Sequence, residues 1–302
     1  MKAMILAAGL GTRLLPFTLK RPKPLFPILN KPLLRLTISR LKQAGATEIV
    51  VNAHHLRQLV KKALRHEANI VLQEEKQILG TGGGLRLALP NLGHDPVLVV
   101  NGDIYHSIDY REVYRCHCEA RADVSLVLHD YPRFNDVAVD DSLCIAGFGR
   151  TGAHSGHQAH FLAFTGIHVI NPEVLLGIPP DTTYCIIDCY RNLLRQGGTI
   201  RAHLAAEHFW TDMGTQADYL QLHADLLAHR VPVYQELVET AADAPFAGAE
   251  NAAIGKNVKL LDWVCIGNGA EIGAGATLQR TVVWDGARVP AGSNIKDAIV
   301  TP

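Results

Sequence analysis

The stretch MKAMILAAGLGTR, Met1–Arg13, decides the fold. Ile5–Ala8 reads as a short buried strand, and Gly9-Leu10-Gly11 opens a turn at its end. A glycine turn after a first strand suits phosphate, because bare backbone N–H groups can approach it. Two familiar loops can be tested by how the turn closes. The dinucleotide fingerprint needs a third glycine where Leu14 stands, and the P-loop needs Gly-Lys-Ser/Thr where Gly11 is followed by Thr12-Arg13. Neither fits. What marks this loop is a pair of cations, Arg13 and Lys23, close behind the turn. Pro16, Pro22, Pro24 and Pro27 argue against a long helix here. The expectation is a stiff extended loop that folds Lys23 back over the strand end.

Working outward, strand-like apolar runs recur at Ile49–Asn52, Ile70–Gln73, Val97–Asn101 and Val124–Leu128, with another at Thr199–Leu204. Helical patterns lie between them at Leu33–Ala44, stopped by Gly45, and at Leu56–His66 and Tyr110–Arg121. This alternation predicts an α/β fold with a mostly parallel, Rossmann-like sheet and helices on both faces. Ligands of such sheets bind at the carboxyl ends of strands. That rule places Gly9–Arg13 and the end of Val97–Asn101 on one rim.

The last fifty residues follow another rule. Apolar residues recur every six at Ile254, Leu260, Ile266, Ile272 and Leu278, and small or apolar ones four further on at Val258, Val264, Ala270, Ala276 and Val282. Gly255, Gly267 and Gly273 follow three of the apolar positions. The phase then slips by one, to Val283, Val289 and Ile295. A hexapeptide period predicts a small parallel β-helix that needs a neighbour to cover it, either the first domain or another subunit. The expected organisation is a catalytic domain over residues 1–240, a linker over 241–252 and the β-helix over 253–302.

Composition excludes several classes. The 302 residues hold 29 Lys+Arg and 29 Asp+Glu, so no basic excess points to nucleic acid or an anionic membrane. No apolar run reaches the length of a membrane span, and the N-terminal one is too short for a signal peptide. A soluble cytoplasmic protein is expected. The six cysteines include no C-x-x-C pair, which argues against a disulfide framework, and Cys116-His117-Cys118 lacks the second pair of a zinc site.

Four groups of residues could carry chemistry. Asn101-Gly102-Asp103 puts a carboxylate at a strand end, where it suits Mg²⁺ or the capping of a turn. Trp210-Thr211-Asp212-Met213-Gly214-Thr215, before a helix expected over Gln216–His229, offers a second carboxylate with the same two readings. Gly80-Thr81-Gly82-Gly83-Gly84, before a helix expected at Leu85–Leu89, could lie flat against a base or be a plain loop. His154, His157 and His160 share no defined face in a glycine-rich stretch and read as loop residues. Together, two acids and a cationic glycine loop favour phosphate chemistry on Mg²⁺.

These residues resemble the sugar-1-phosphate nucleotidyltransferases over about residues 1–230. Leu6–Arg13 is similar to that family's signature loop, Pro22-Lys23-Pro24-Leu25 to its second part, Gly102-Asp103 and Asp212–Thr215 to its metal positions, and Phe164–Ile167 to its sugar segment. The first hundred residues look closest to members that make GDP-mannose or uridylylate N-acetylmuramate 1-phosphate, and the tail resembles the left-handed β-helix of several members. The resemblance implies Mg²⁺-dependent nucleotidyl transfer from an NTP, GTP or UTP, to a hexose-type sugar 1-phosphate, in a homo-oligomer aided by the tail. A non-catalytic scaffold or sensor on the same fold is the alternative, but such a protein should have lost Lys23 or an Asp.

By the same resemblance, Asp103 and Asp212 hold the metal. Ala8, Gly9, Gly11, Thr12, Arg13, Glu75, Gly83 and Gly102 bind nucleotide. Arg13 and Lys23 are catalytic, and Gly147, Arg150 and Gly166 face the sugar phosphate. One departure stands out. Family members carry a Glu-Lys-Pro lysine soon after a Gly-Phe pair, whereas Gly147-Phe148 here precedes Gly149-Arg150, and no lysine occurs between Lys76 and Lys256. Arg150 is the expected replacement, with Arg133 as a substitute, because a guanidinium can grip two phosphate oxygens.

Overall fold

The computed structural model describes residues 1–149, 160–242 and 244–302. They form two compact units. One holds Met1–Gly9 and Ile38–Trp210, the other Leu10–Thr37 and Thr211–Pro302.

The first unit is built on a nine-stranded sheet. Lys2–Leu6 lies between Val97–Asn101 and Glu48–Ala53, with Ile70–Glu74 beyond, all parallel. His160–Ile170 pairs antiparallel with Val97–Asn101 and with Val124–His129, which in turn pairs parallel with Ile200–Leu204. Asn135–Val139 and Ile145–Phe148 complete the sheet. All strands but His160–Ile170 and Ile145–Phe148 run one way, so the carboxyl ends of the rest share a rim. Val97–Val100 is buried throughout, as a strand covered on both faces must be. Helices Gly80–Leu92 and Ile186–Arg195 bury Leu85, Leu92, Ile186 and Tyr190 among Met4, Val50, Val99 and Leu126.

Three expectations change. The first strand is Lys2–Leu6 rather than Ile5–Ala8, because the Ala7 N–H leaves the ladder for Asn52 Oδ1 at 2.6 Å. The glycine cluster is not a loop before a helix but the helix's own first turns, since Gly80–Leu92 is helical. The 302-residue pattern also hid the antiparallel strands, whose polar residues such as Asp136 interrupt the apolar runs.

The second unit contains the signature loop and the tail. The loop is no extended arm. It forms three short 3₁₀ turns, Thr12–Leu14, Phe17–Leu19 and Lys23–Leu25, each closed by two consecutive i→i+3 bonds that the flanking prolines permit. The tail stacks Phe246–Gly248, Lys259–Ile266, Thr277–Val283 and Asn294–Val300 in parallel, with Ala253–Ile254, Glu271–Ile272 and Arg288–Val289 on a second face. These strands fit a small β-helix whose core holds Val264, Ile266, Ile272, Leu278, Val283 and Val289.

The slip in the hexapeptide phase has a structural cause. Leu261 faces Gln279 but Val264 faces Thr281, so Asp262-Trp263 is a one-residue bulge. It turns Trp263 onto His223 of the helix Gln216–Leu227, rings 6.4 Å apart and nearly parallel at 14°. Asp262, Arg280 and Asp297 stack at successive corners with φ of 58°, 47° and 51°. Gln279 donates to Asp262 Oδ2 at 2.8 Å, and Arg280 bridges Asp262 and Asp297; these bonds keep both carboxylates easier to ionise and the guanidinium harder to deprotonate.

Candidate active site

In the first unit the rim gathers around Gly102 and Asn52. The Gly102 N–H donates to Leu6 O at 2.9 Å. A Cβ on Gly102 would come 3.0 Å from that same oxygen, so the turn before Asp103 favours glycine. Asp103 itself is partly exposed at this turn. Gly166, at φ +80°, makes room for Asn101, whose Nδ2 would lie 2.3 Å from a Cβ there. The structure thus brings Leu6, Asn101, Gly102 and Gly166 together. Gly147 sits at an irregularity in the Ile145–Phe148 strand.

Asn52 was not singled out from the sequence, yet it ties the rim together. Its Oδ1 holds the Ala7 N–H, and its Nδ2 donates to Glu75 Oε1 at 2.7 Å. Glu75 Oε2 accepts from the Leu79 N–H at 3.3 Å, and the side chain is buried. Both Glu75 oxygens are therefore engaged within the chain. Asn52 lies near the end of the buried strand Glu48–Ala53 and Glu75 follows the half-buried Ile70–Glu74, so the polar residues were visible in sequence but their pairing was not. Gly83 is buried as well, and a Cβ there would meet Thr182 O at 2.3 Å. That close approach is one physical reason for the glycine.

Beside the rim, Tyr131 and Phe134 stack at 5.5 Å and meet Trp210 edge-on, at 5.3 Å and 6.3 Å. Arg133 lies over the Phe134 ring at 5.1 Å. Trp210 is fixed by its Nε1–H, which donates to Thr165 O at 2.9 Å. Arg150, the expected phosphate ligand, lies outside the described residues, as do His154 and His157.

In the second unit Arg13 donates to Asp212 Oδ2 at 3.2 Å. Gly214 makes the pairing possible, since a Cβ there would fall 2.5 Å from Arg13 Nη1 and 2.8 Å from Asp212 Oδ2. Asp212 Oδ1 is buried without a partner. Arg13 is 55 % exposed and Asp212 only 14 %. Gly11, at φ +62°, begins the Thr12–Leu14 turn. A Cβ there would strike Thr18 Cγ2 at 2.8 Å and reach Lys23 Cβ at 3.6 Å, so the glycine turn rests on the Lys23 segment. Lys23 is 5 % exposed. After Asp212, Thr215 caps the helix Gln216–Leu227 in a reciprocal pair with Asp218, which holds the Asp212–Thr215 turn.

Residues 2–229 match the Nucleotidyl transferase family. The chain belongs to that family. It is 29 % identical over 97 % of its length to mannose-1-phosphate guanylyltransferase of Mycobacterium tuberculosis, of which it covers 82 %. It is 36 % identical to N-acetylmuramate alpha-1-phosphate uridylyltransferase of Neisseria meningitidis, over 71 % of this chain and 94 % of that one. The crystal structure of HddC from Yersinia pseudotuberculosis shares the fold, with a TM-score of 0.62 at 22 % identity, over 74 % of this chain and 97 % of the other. This nucleotidyltransferase is an enzyme of the sugar-1-phosphate class. Among its described residues no helix is long and apolar enough to cross a membrane.

Proposed function

We propose that the enzyme transfers a nucleotidyl group from GTP or UTP to a hexose-type sugar 1-phosphate and releases pyrophosphate. The observation that carries this reading is the Arg13–Asp212 pair, set over Gly214 in the unit that holds the Lys23 turn. It offers an exposed guanidinium for phosphate and a carboxylate with one oxygen to spare. The names of the guanylyl and uridylyl relatives support the choice of base and sugar class.

The residues fit Mg²⁺. Asp212 Oδ1 is a buried oxygen lacking any donor. No three His, Cys, Asp or Glu side chains gather as a metal cage among the described residues. An ion held by one or two carboxylates, Asp103 and Asp212 in this reading, would take the rest of its shell from phosphate and water. When bound, Mg²⁺ neutralises phosphate charge and helps align the α-phosphoryl group.

The chemistry is a displacement at phosphorus. An oxygen of the sugar phosphate bonds to the α-phosphorus, the α–β bridging P–O bond breaks, and its electrons leave with pyrophosphate. No protein nucleophile is required, so positioning and charge carry catalysis. The N–H groups of Gly11 and Thr12 and the Arg13 guanidinium hold the departing phosphates. Lys23 stabilises charge growing at the α-phosphoryl group. Ala8, Gly9 and Gly102 line the nucleotide, with Gly83 and Glu75 on the base side. Gly147 and Gly166 face the sugar, and Arg150, or Arg133, holds its phosphate. Residues 1–240 carry the reaction in this reading, 241–252 form the linker, and 253–302 form the hexapeptide tail.

A pyrophosphate-release assay across four triphosphates and a panel of sugar 1-phosphates tests the proposal. Turnover is expected with GTP or UTP and a hexose-type acceptor, and is lost when a chelator removes Mg²⁺. No turnover with any pair would leave the non-catalytic scaffold as the better reading.

A further inference from the structure

The tail reaches the signature loop through one buried side chain. Trp284 is 1 % exposed and sits at a corner of the β-helix, outside the hexapeptide positions. Its ring meets Phe26 edge-on at 4.8 Å and Phe17 at 6.3 Å, and the Arg21 guanidinium lies over it at 4.8 Å. Its Nε1–H donates to the Tyr219 hydroxyl at 3.2 Å, and that hydroxyl donates to Pro27 O at 2.6 Å. Asp285, the next residue, pairs with Arg21 at 3.6 Å.

These partners bracket one position. Phe17 and Arg21 precede Lys23, and Phe26 and Pro27 follow it. Further along, Asn30 Nδ2 donates to Ile266 O at 2.8 Å, and the Cys265 thiol donates to Asn30 Oδ1 at 3.2 Å. His223 Nε2 accepts the Leu29 N–H at 3.3 Å. The backbone of the Lys23 turn is closed by two i→i+3 bonds, Leu25 N–H to Pro22 O at 2.8 Å and Phe26 N–H to Lys23 O at 3.0 Å. Short turns of this kind are weak by themselves. An aromatic ring filling a buried slot beside such a turn adds the large contact area typical of an anchor.

We infer that Trp284 is a positioning residue for Lys23: the tail, through Trp284 and the Tyr219 hydroxyl, sets the backbone on which the charge-stabilising lysine rides. The inference rests on the proposed nucleotidyl transfer. It gives the tail a task within one chain, separate from any role in assembly. Because the Gly11 turn lies against Thr18 and Lys23, the same anchor also steadies the phosphate-binding turn.

A double-mutant cycle on the full-length protein tests this. Lys23→Ala should lower kcat by at least ~10²-fold, the scale for removing a transition-state charge partner. Trp284→Ala should lower kcat by at least ~10-fold, as misplaced catalytic groups do, while KM for the triphosphate shifts less than ~3-fold. Trp284→Phe, which keeps the packing, should recover most of the loss. In the Lys23→Ala background, adding Trp284→Ala should cost less than ~2-fold more, because the two act through one group. Fully multiplicative losses would overturn the inference, as would unchanged kcat in Trp284→Ala. If Trp284→Ala does not fold, Tyr219→Phe removes only the hydroxyl bridge and should show the same non-additivity with Lys23→Ala.

Hydrogen exchange on the free protein reads the anchor without turnover. Trp284→Phe should leave amides 17–30 protected, whereas Tyr219→Phe should speed their exchange. Unchanged exchange in Tyr219→Phe counts against the anchor whatever the wild type catalyses. An inactive wild type with the expected exchange pattern counts against the functional reading alone.

Discussion

Asp212 spends one carboxylate oxygen on Arg13 and leaves the other buried without a donor, an arrangement that stability alone disfavours. In the proposed reaction a bound ligand offsets that cost. Replacing Asp212 or Asp103 by Asn is therefore expected to keep the fold, by circular dichroism, and to cut turnover at least ~10²-fold. Near-normal turnover in either variant removes that residue from the site. A second residue shows the opposite economy. His168 is buried between Phe164 and Tyr190 with both ring nitrogens unpartnered, and burial pushes its pKa down to about 3. The folded state keeps it neutral, while the unfolded chain takes up a proton below about pH 6.5. Its contribution to stability is thus intact above that pH and is lost as pH falls toward 3. His168→Phe should raise the free energy of unfolding, and by about 2 kcal/mol more at pH 5 than at pH 7. An equal change at both pH values would show that His168 does not titrate in this way.

At the scale of elements, the tail shows how a short repeat encodes its own geometry. Gly273 follows an inward apolar residue because the next coil crowds it: a Cβ would lie 2.3 Å from Ala291 N. Gly273→Ala should therefore lower stability by about 1–3 kcal/mol, the usual cost of overpacking. Gly248→Ala, where a Cβ meets nothing within 4 Å, should stay within about 0.5 kcal/mol. Chemical denaturation of the two variants side by side checks both. Much here was legible from periodicity, including the inward Ile266, Ile272 and Leu278 and the slip that proved to be the Asp262-Trp263 bulge. Glu48–Ala53, Val97–Asn101 and Val124–His129 were legible too, because strands buried almost throughout leave nearly continuous apolar runs. Less visible were features that depend on distant partners. Nothing local shows that Gly80–Gly84 starts a helix, since its glycines answer to Thr182 and Tyr184 about a hundred positions away. Asn52 and Trp284 were missed for the same reason: their partners are set by topology, not by neighbours in sequence.

At the scale of the whole molecule, the tail's exposed first coil, with Ile254 52 % and Phe246 36 % exposed, supports the proposal of a homo-oligomer. Light scattering is expected to give a mass above that of one chain, and truncation from residue 253 is expected to reduce it. A monomeric full-length protein would confine the tail to its intrachain contacts. Those contacts carry a further consequence, for the order of synthesis. The ribosome releases Phe26 and Leu29 early, yet Trp284 emerges roughly 250 residues later, or roughly 10–50 s at typical elongation rates. Throughout that interval the nascent lysine loop lacks its ring, and Phe17 and Phe26 are without that neighbour. Completion of the last coils is expected to switch the N-terminal loop from cleavable to protected. Pulse proteolysis of ribosome-bound chains ending near residue 260 should cut between Phe17 and Leu29, and released full-length chains should resist cleavage there. Equal protection in both would show that the loop settles before its anchor arrives.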